Sequence, residues 1–172
     1  ERPHAGAGEG GVFVGDYTMM DAGENIVGRS TMIFSWNNVS RKRAMHNVLR
    51  MKYPNINGAW IPTVTFRESL RYASDYMPQN ILSHAGDVLI WWHIAKTVPV
   101  RYISCKQVNY RISDTSSPSV LYQRSNRANS LVGLLLFYNR VLEEYDSRWP
   151  VSRLMVGFLA SWRAIKILVE AR

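Results

Sequence analysis

His84-Ala85-Gly86-Asp87-Val88-Leu89-Ile90-Trp91-Trp92-His93-Ile94-Ala95-Lys96, followed by Val100-Arg101-Tyr102-Ile103-Ser104 and Val108-Asn109-Tyr110-Arg111-Ile112-Ser113, is the stretch from which the fold is read. Leu89, Trp92, Ile94 and Ala95 recur at helical spacing, which predicts a helix from Asp87 to about Thr97. The runs Val98 to Ser104 and Lys106 to Ile112 alternate in polarity, which predicts two strands with a tight connection at Ser104-Cys105-Lys106. A helix feeding strands points to an α/β chain.

On this reading Asp87 stands in the first turn of a buried helix, where two roles are open to it. It caps or complements the helix dipole, a contribution of about 0.3–1 kcal/mol. Alternatively it is a general base, because a hydroxyl nucleophile must lose its proton as it attacks. Spacing alone favours the cap. Trp91 and Trp92 point in directions about a quarter turn apart on the helix. Packing accounts for at least one, and the other has an indole face suited to stacking on a sugar ring.

Upstream, Gly11 to Tyr17 reads as a buried strand, Asp21 to Asn25 as a turn and Ile26 to Trp36 as extended chain, so a hairpin is expected. Ser40 is placed to cap a helix over Arg41 to Tyr53, which Pro54 ends. The basic cluster from Arg41 to Lys52 reads as a solvated face. After the turn signal Asn57-Gly58, the β-branched and aromatic run Trp60 to Phe66 predicts a strand, and Arg67 to Tyr72 a short helix. Downstream, Ser113 to Ser119 is a Ser/Thr/Pro loop. Two amphipathic helices are expected beyond it, one within Val120 to Tyr145 and one from Pro150 to the C-terminus. The last is basic and bears Trp162, so a membrane interface is its second reading beside packing on the body.

In series, these segments resemble the second half of a family two (GT-A fold) glycosyltransferase. The carriers are Gly15-Asp16-Tyr17 with Asp21 and Gly23, then Asn57 through Arg67, then Gly86-Asp87 with Leu89 and Trp91-Trp92, then Tyr110-Arg111. Each motif is degenerate, and the order and spacing over residues 11–115 carry the likeness. It implies a partial GT-A-like mixed sheet over residues 1–115, with a helical C-terminal extension over 116–172. It implies transfer of a sugar, with inversion, from a nucleoside-diphosphate sugar to the hydroxyl of a glycan or lipid-linked acceptor. Asp87 becomes the candidate base. Thr63, Thr65, Arg67, Trp91, Trp92 and Arg111 become candidate substrate contacts, Arg111 through its planar fork on a phosphate. A divalent metal, Mg or Mn, is expected for the whole enzyme. The family's His after Tyr-Arg is replaced here by Ser113-Asp114, which leaves Asp114 as the candidate metal ligand in this chain. The strand ending in Asp-x-Asp has no match, so the sequence reads as a fragment.

The composition bounds these readings. At 172 residues and 47% apolar content the chain buries a real core. Lys and Arg outnumber Asp and Glu by 21 to 13, a formal charge of +8, so an anionic partner suits it: a sugar nucleotide, nucleic acid or an anionic membrane surface. The competing class is a non-enzymatic basic module that binds nucleic acid or a protein partner; the transferase reading needs no nucleic acid. The lone Cys105 excludes an intramolecular disulfide and a Cys-based zinc cluster, which suits a reducing, cytoplasmic setting, with peripheral contact at the membrane's inner face through the last helix. No run reaches the roughly 18 apolar residues of a membrane span. A phosphate-binding Gly loop, H-E-x-x-H and G-x-S-x-G are all missing, so P-loop and hydrolase readings have no support.

Overall fold

The computed structural model describes residues 11–21, 23–29, 36, 39–54, 56–111, 127–144 and 152–169. Over these residues the chain is a mixed α/β protein in which a small sheet lies beside a larger helical body. The sheet is organised on β1 (Val12–Met20), whose Val12 and Val14 are fully buried. β2 (Ile26–Arg29) and the two-residue β3 (Ala59–Trp60) pair antiparallel with opposite ends of β1. β4 (Val100–Arg111) runs parallel to β1 along its full length.

The expected β1–β2 hairpin is present. Its turn is held by the Asp21 carboxylate, which accepts from the Asn25 backbone N–H at 2.8 Å, and Glu24 takes a left-handed conformation there (φ 64°). The two strands expected between Val98 and Ile112 are instead one. Where a tight connection was expected, β4 bulges: Gly15 faces Ile103, Asp16 faces Lys106 and Tyr17 faces Val108. A bulge inserts unpaired residues without reversing the chain. The continuous parallel pairing with β1 keeps both halves in one strand.

α1 (Arg41–Leu49) begins as expected at Ser40, whose hydroxyl accepts from the Arg43 N–H. It stops short of Pro54 because Met51 turns left-handed (φ 56°). The strand expected over Trp60 to Phe66 is a second correction. Only Ala59 and Trp60 pair, and Pro62 then caps α2 (Thr63–Ser74), so Thr63 and Thr65 are helical. Proline has no N–H to leave unsatisfied at a helix start, and burying a face of α2 against α3 outweighs the strand preference of the Thr-Val-Thr-Phe run.

α3 (Gln79–Thr97) starts eight residues before the expected boundary, with Pro78 at its cap, so Asp87 lies in the middle of the helix. The dipole-cap reading of Asp87 is thereby overturned. α3 is the hub of the molecule. Val88, Leu89, Ile90, Trp91, Trp92, Ile94 and Ala95 are all buried, because α1, α2 and α4 (Arg127–Glu143) pack around it. A helix surrounded on several sides reads as apolar nearly all round. α4 approaches closely at Gly133, where an added Cβ would stand 2.4 Å from the Ala85 Cβ and 3.1 Å from Ile81 Cγ2. α5 (Arg153–Val169) packs in turn on α4 and contributes Val156 to the core.

Candidate active site

The side chain of Asp87 meets solvent, yet its carboxyl is hemmed in by protein. Desolvation raises its pKa above the ordinary carboxylate value, against the backbone of Val88 and the Tyr53 hydroxyl, which hydrogen-bond to the charged form. The Tyr53 hydroxyl lies against Asp87 and donates toward it. Burial, and then the Asp87 charge, push the phenol well above its usual range, so Tyr53 stays a donor.

Tyr53 is aimed by the chain that leaves α1. A helix end leaves its last carbonyls without intrahelical partners. Here side chains from elsewhere take them: the Tyr138 hydroxyl on α4 donates to the Leu49 carbonyl at 2.8 Å, and Arg163 on α5 donates to the Arg50 carbonyl at 2.8 Å. The Trp36 indole N–H donates to the Lys52 carbonyl at 2.8 Å. Three contacts from three parts of the chain therefore hold the turn that presents Tyr53. Arg163 also places positive charge near the Tyr53 and Tyr138 phenols, and its Nε is buried without a hydrogen-bond partner among the described residues.

The other residues singled out from the sequence fall elsewhere. Trp91 and Trp92 are both fully buried, which corrects the stacking-platform reading: neither indole shows a face to solvent. Trp91 packs against Trp36, with ring centroids 5.6 Å apart, and its buried N–H has no hydrogen-bond partner among the described residues. Trp92 meets Phe137 edge-on and donates to Glu144 at 3.3 Å. Glu144 also accepts from Lys96 at 2.5 Å and Arg140 at 2.8 Å, so it ties α3 to the end of α4. Burial opposes its charge, but bonds from Lys96, Tyr72 and Trp92 outweigh that and hold its pKa below the usual value. This cluster is structural. His93 belongs to the packing as well: its Nδ1 lies 3.0 Å from the Ser69 hydroxyl and its ring stacks on Tyr72.

Thr63 is exposed and Thr65 half-buried in the first turn of α2, where the Thr65 carbonyl accepts from the Ser69 hydroxyl at 2.7 Å. Arg67 is exposed on the same helix. None of the hydrogen bonds among the described residues joins these three to Asp87. Arg111 ends β4 opposite Met20, so its backbone stands at the carboxyl ends of two parallel neighbouring strands. Open α/β sheets commonly bind ligands at that edge. The Arg111 side chain and Asp114 lie outside the described residues. Among the described residues no group of three His, Cys, Asp or Glu is gathered to hold a metal ion.

The sequence reading missed Tyr53, Tyr138 and Arg163. Tyr53 stands one residue before a helix-ending Pro, and Arg163 occupies the inner side of a basic helix; neither position carries a motif. Fold and site together define a mixed α/β chain in which the desolvated Asp87 carboxyl is backed by the Tyr53 phenol. No protein-family model, curated protein or solved structure matches the chain.

Proposed function

We propose that this chain is the acceptor-side part of an inverting, GT-A-like glycosyltransferase and that Asp87 is its general base. The observation that carries this reading is the state of Asp87: an exposed residue whose carboxyl is hemmed in by protein, raised in pKa by that desolvation, and oriented by a phenol. A base with a raised pKa takes a proton more readily as a hydroxyl attacks. The Asp87 oxygen accepts the acceptor's hydroxyl proton while that oxygen bonds to the anomeric carbon. The bond from that carbon to the diphosphate breaks on the opposite side, and the configuration inverts. The motif series from Asp16 to Arg111 supports the class of donor, a nucleoside-diphosphate sugar.

The test uses the natural polypeptide that carries this sequence, incubated with a panel of nucleoside-diphosphate sugars and glycan or lipid-linked acceptors and read by diphosphonucleoside release. Asp87→Asn is expected to lower transfer by about 10²–10⁴-fold with circular dichroism unchanged. Turnover equal to the parent removes Asp87 from the role.

A further inference from the structure

Leu154, Met155, Phe158, Trp162, Ile165 and Val169 are exposed on α5, Leu154 to 86%, Phe158 to 68% and Trp162 to 57%. Their positions advance by one, three, four, three and four residues. At 3.6 residues per turn that keeps them within an arc of about 100°, a continuous apolar stripe roughly 22 Å long. The opposite side of the helix faces the body: Val156 enters the core, and Arg163 reaches the Arg50 carbonyl. The stripe therefore points outward because the inner face is anchored.

We infer that this face of α5 docks in the plane of an anionic lipid bilayer. Between Arg153 and Val169 the helix carries Arg153, Arg163 and Lys166 and no acidic residue, within a chain of formal charge +8. An amphipathic helix with bulky apolar residues on one face and only cations among its charges buries the stripe at the headgroup boundary, and anionic headgroups draw in the cations. Lys166 lies about 20° beyond Met155 at one border of the stripe, the level at which headgroup phosphates would meet it. Trp162, near the middle of the stripe, has an amphipathic ring suited to that boundary. Among the described residues no helix is long and apolar enough to cross a membrane, which agrees with lying in the interface. The inference stands independently of the transferase reading, since it uses no residue of the Asp87 site as a lipid contact.

Flotation of the full chain with phosphatidylcholine vesicles, with and without phosphatidylglycerol, tests it. The protein is expected to float with the phosphatidylglycerol vesicles, to stay behind with pure phosphatidylcholine, and to detach as salt is raised. The double substitution Phe158→Ser with Trp162→Ser is expected to reduce flotation at least tenfold. Both side chains are exposed, so its thermal unfolding should match the parent. Flotation unchanged by the double substitution, or a parent protein that never floats, overturns the inference. Self-association in place of flotation, abolished by the same substitutions, overturns it in favour of a second copy.

Discussion

The hydroxyl of Tyr53, in the turn after α1, lies against the carboxyl of Asp87 in the middle of α3 and donates toward it. Two helices that meet in the core thus also meet in the candidate site. Because the phenol favours the charged carboxylate, its removal pushes the Asp87 pKa further up. Tyr53→Phe is expected to move the acid limb of the kcat/KM profile to higher pH, with a smaller loss of rate than Asp87→Asn. A profile that does not move would separate the phenol from the base.

The same desolvation has a consequence for stability. A folded pKa above the unfolded value makes a carboxyl stabilising only while it is protonated, and that contribution is lost as pH rises through the raised value. Above that raised value the ionised Asp87 therefore costs the fold something. Asp87→Asn is expected to melt at or above the parent's temperature at neutral pH, with the difference shrinking below the ordinary carboxylate value of 3.8. A clear drop in melting temperature at neutral pH would mark Asp87 as structural.

At Gly133 α4 lies close against α3. Its Cβ would fall 2.4 Å from the Ala85 Cβ, and a backbone-borne methyl has no rotamer by which to escape. Gly133→Ala is expected to destabilise by about 1–3 kcal/mol in denaturant unfolding. Adding Ala85→Gly should recover part of that loss, and a purely additive double variant would argue against the contact.

His93 is held neutral by burial and then by the neighbouring Lys96 charge, which together lower its pKa. A histidine with a lowered folded pKa supports the fold fully above its unfolded value, near 6.5, and loses that support as pH falls through it. Stability should decline as pH falls below about 6.5 towards the lowered folded value. In His93→Gln this part of the slope should flatten; an unchanged slope would assign the decline to another group.

Local chemistry made several elements legible in the residues themselves. Ser40 caps α1, the Asp21–Asn25 turn closes the hairpin, and the apolar runs of α4 and α5 become helices. These depend on neighbours a few residues away, as capping and turn hydrogen bonds do. Where propensity and packing disagreed, the sequence misled. The Thr63-Val64-Thr65-Phe66 run prefers a strand in isolation but becomes helix where α2 is buried against α3. The Ser104-Cys105-Lys106 turn signal became a bulge because β1 pairs on both sides of it.

In the sequence Asp87 is singled out by the resemblance that Gly86-Asp87 and Trp91-Trp92 help to carry, while spacing alone favours a helix cap. Its environment is not legible there. Tyr53, Tyr138 and Arg163 reach the end of α1 and the Asp87 pocket from three separate elements, and only the packing of those elements brings them together. The class of elements and the charge of the chain are properties of short segments, and the order of residues sets them. Desolvation, the fate of Trp91 and Trp92, and the outward turn of the α5 stripe depend on which faces the helices bury, and the tertiary structure alone decides that.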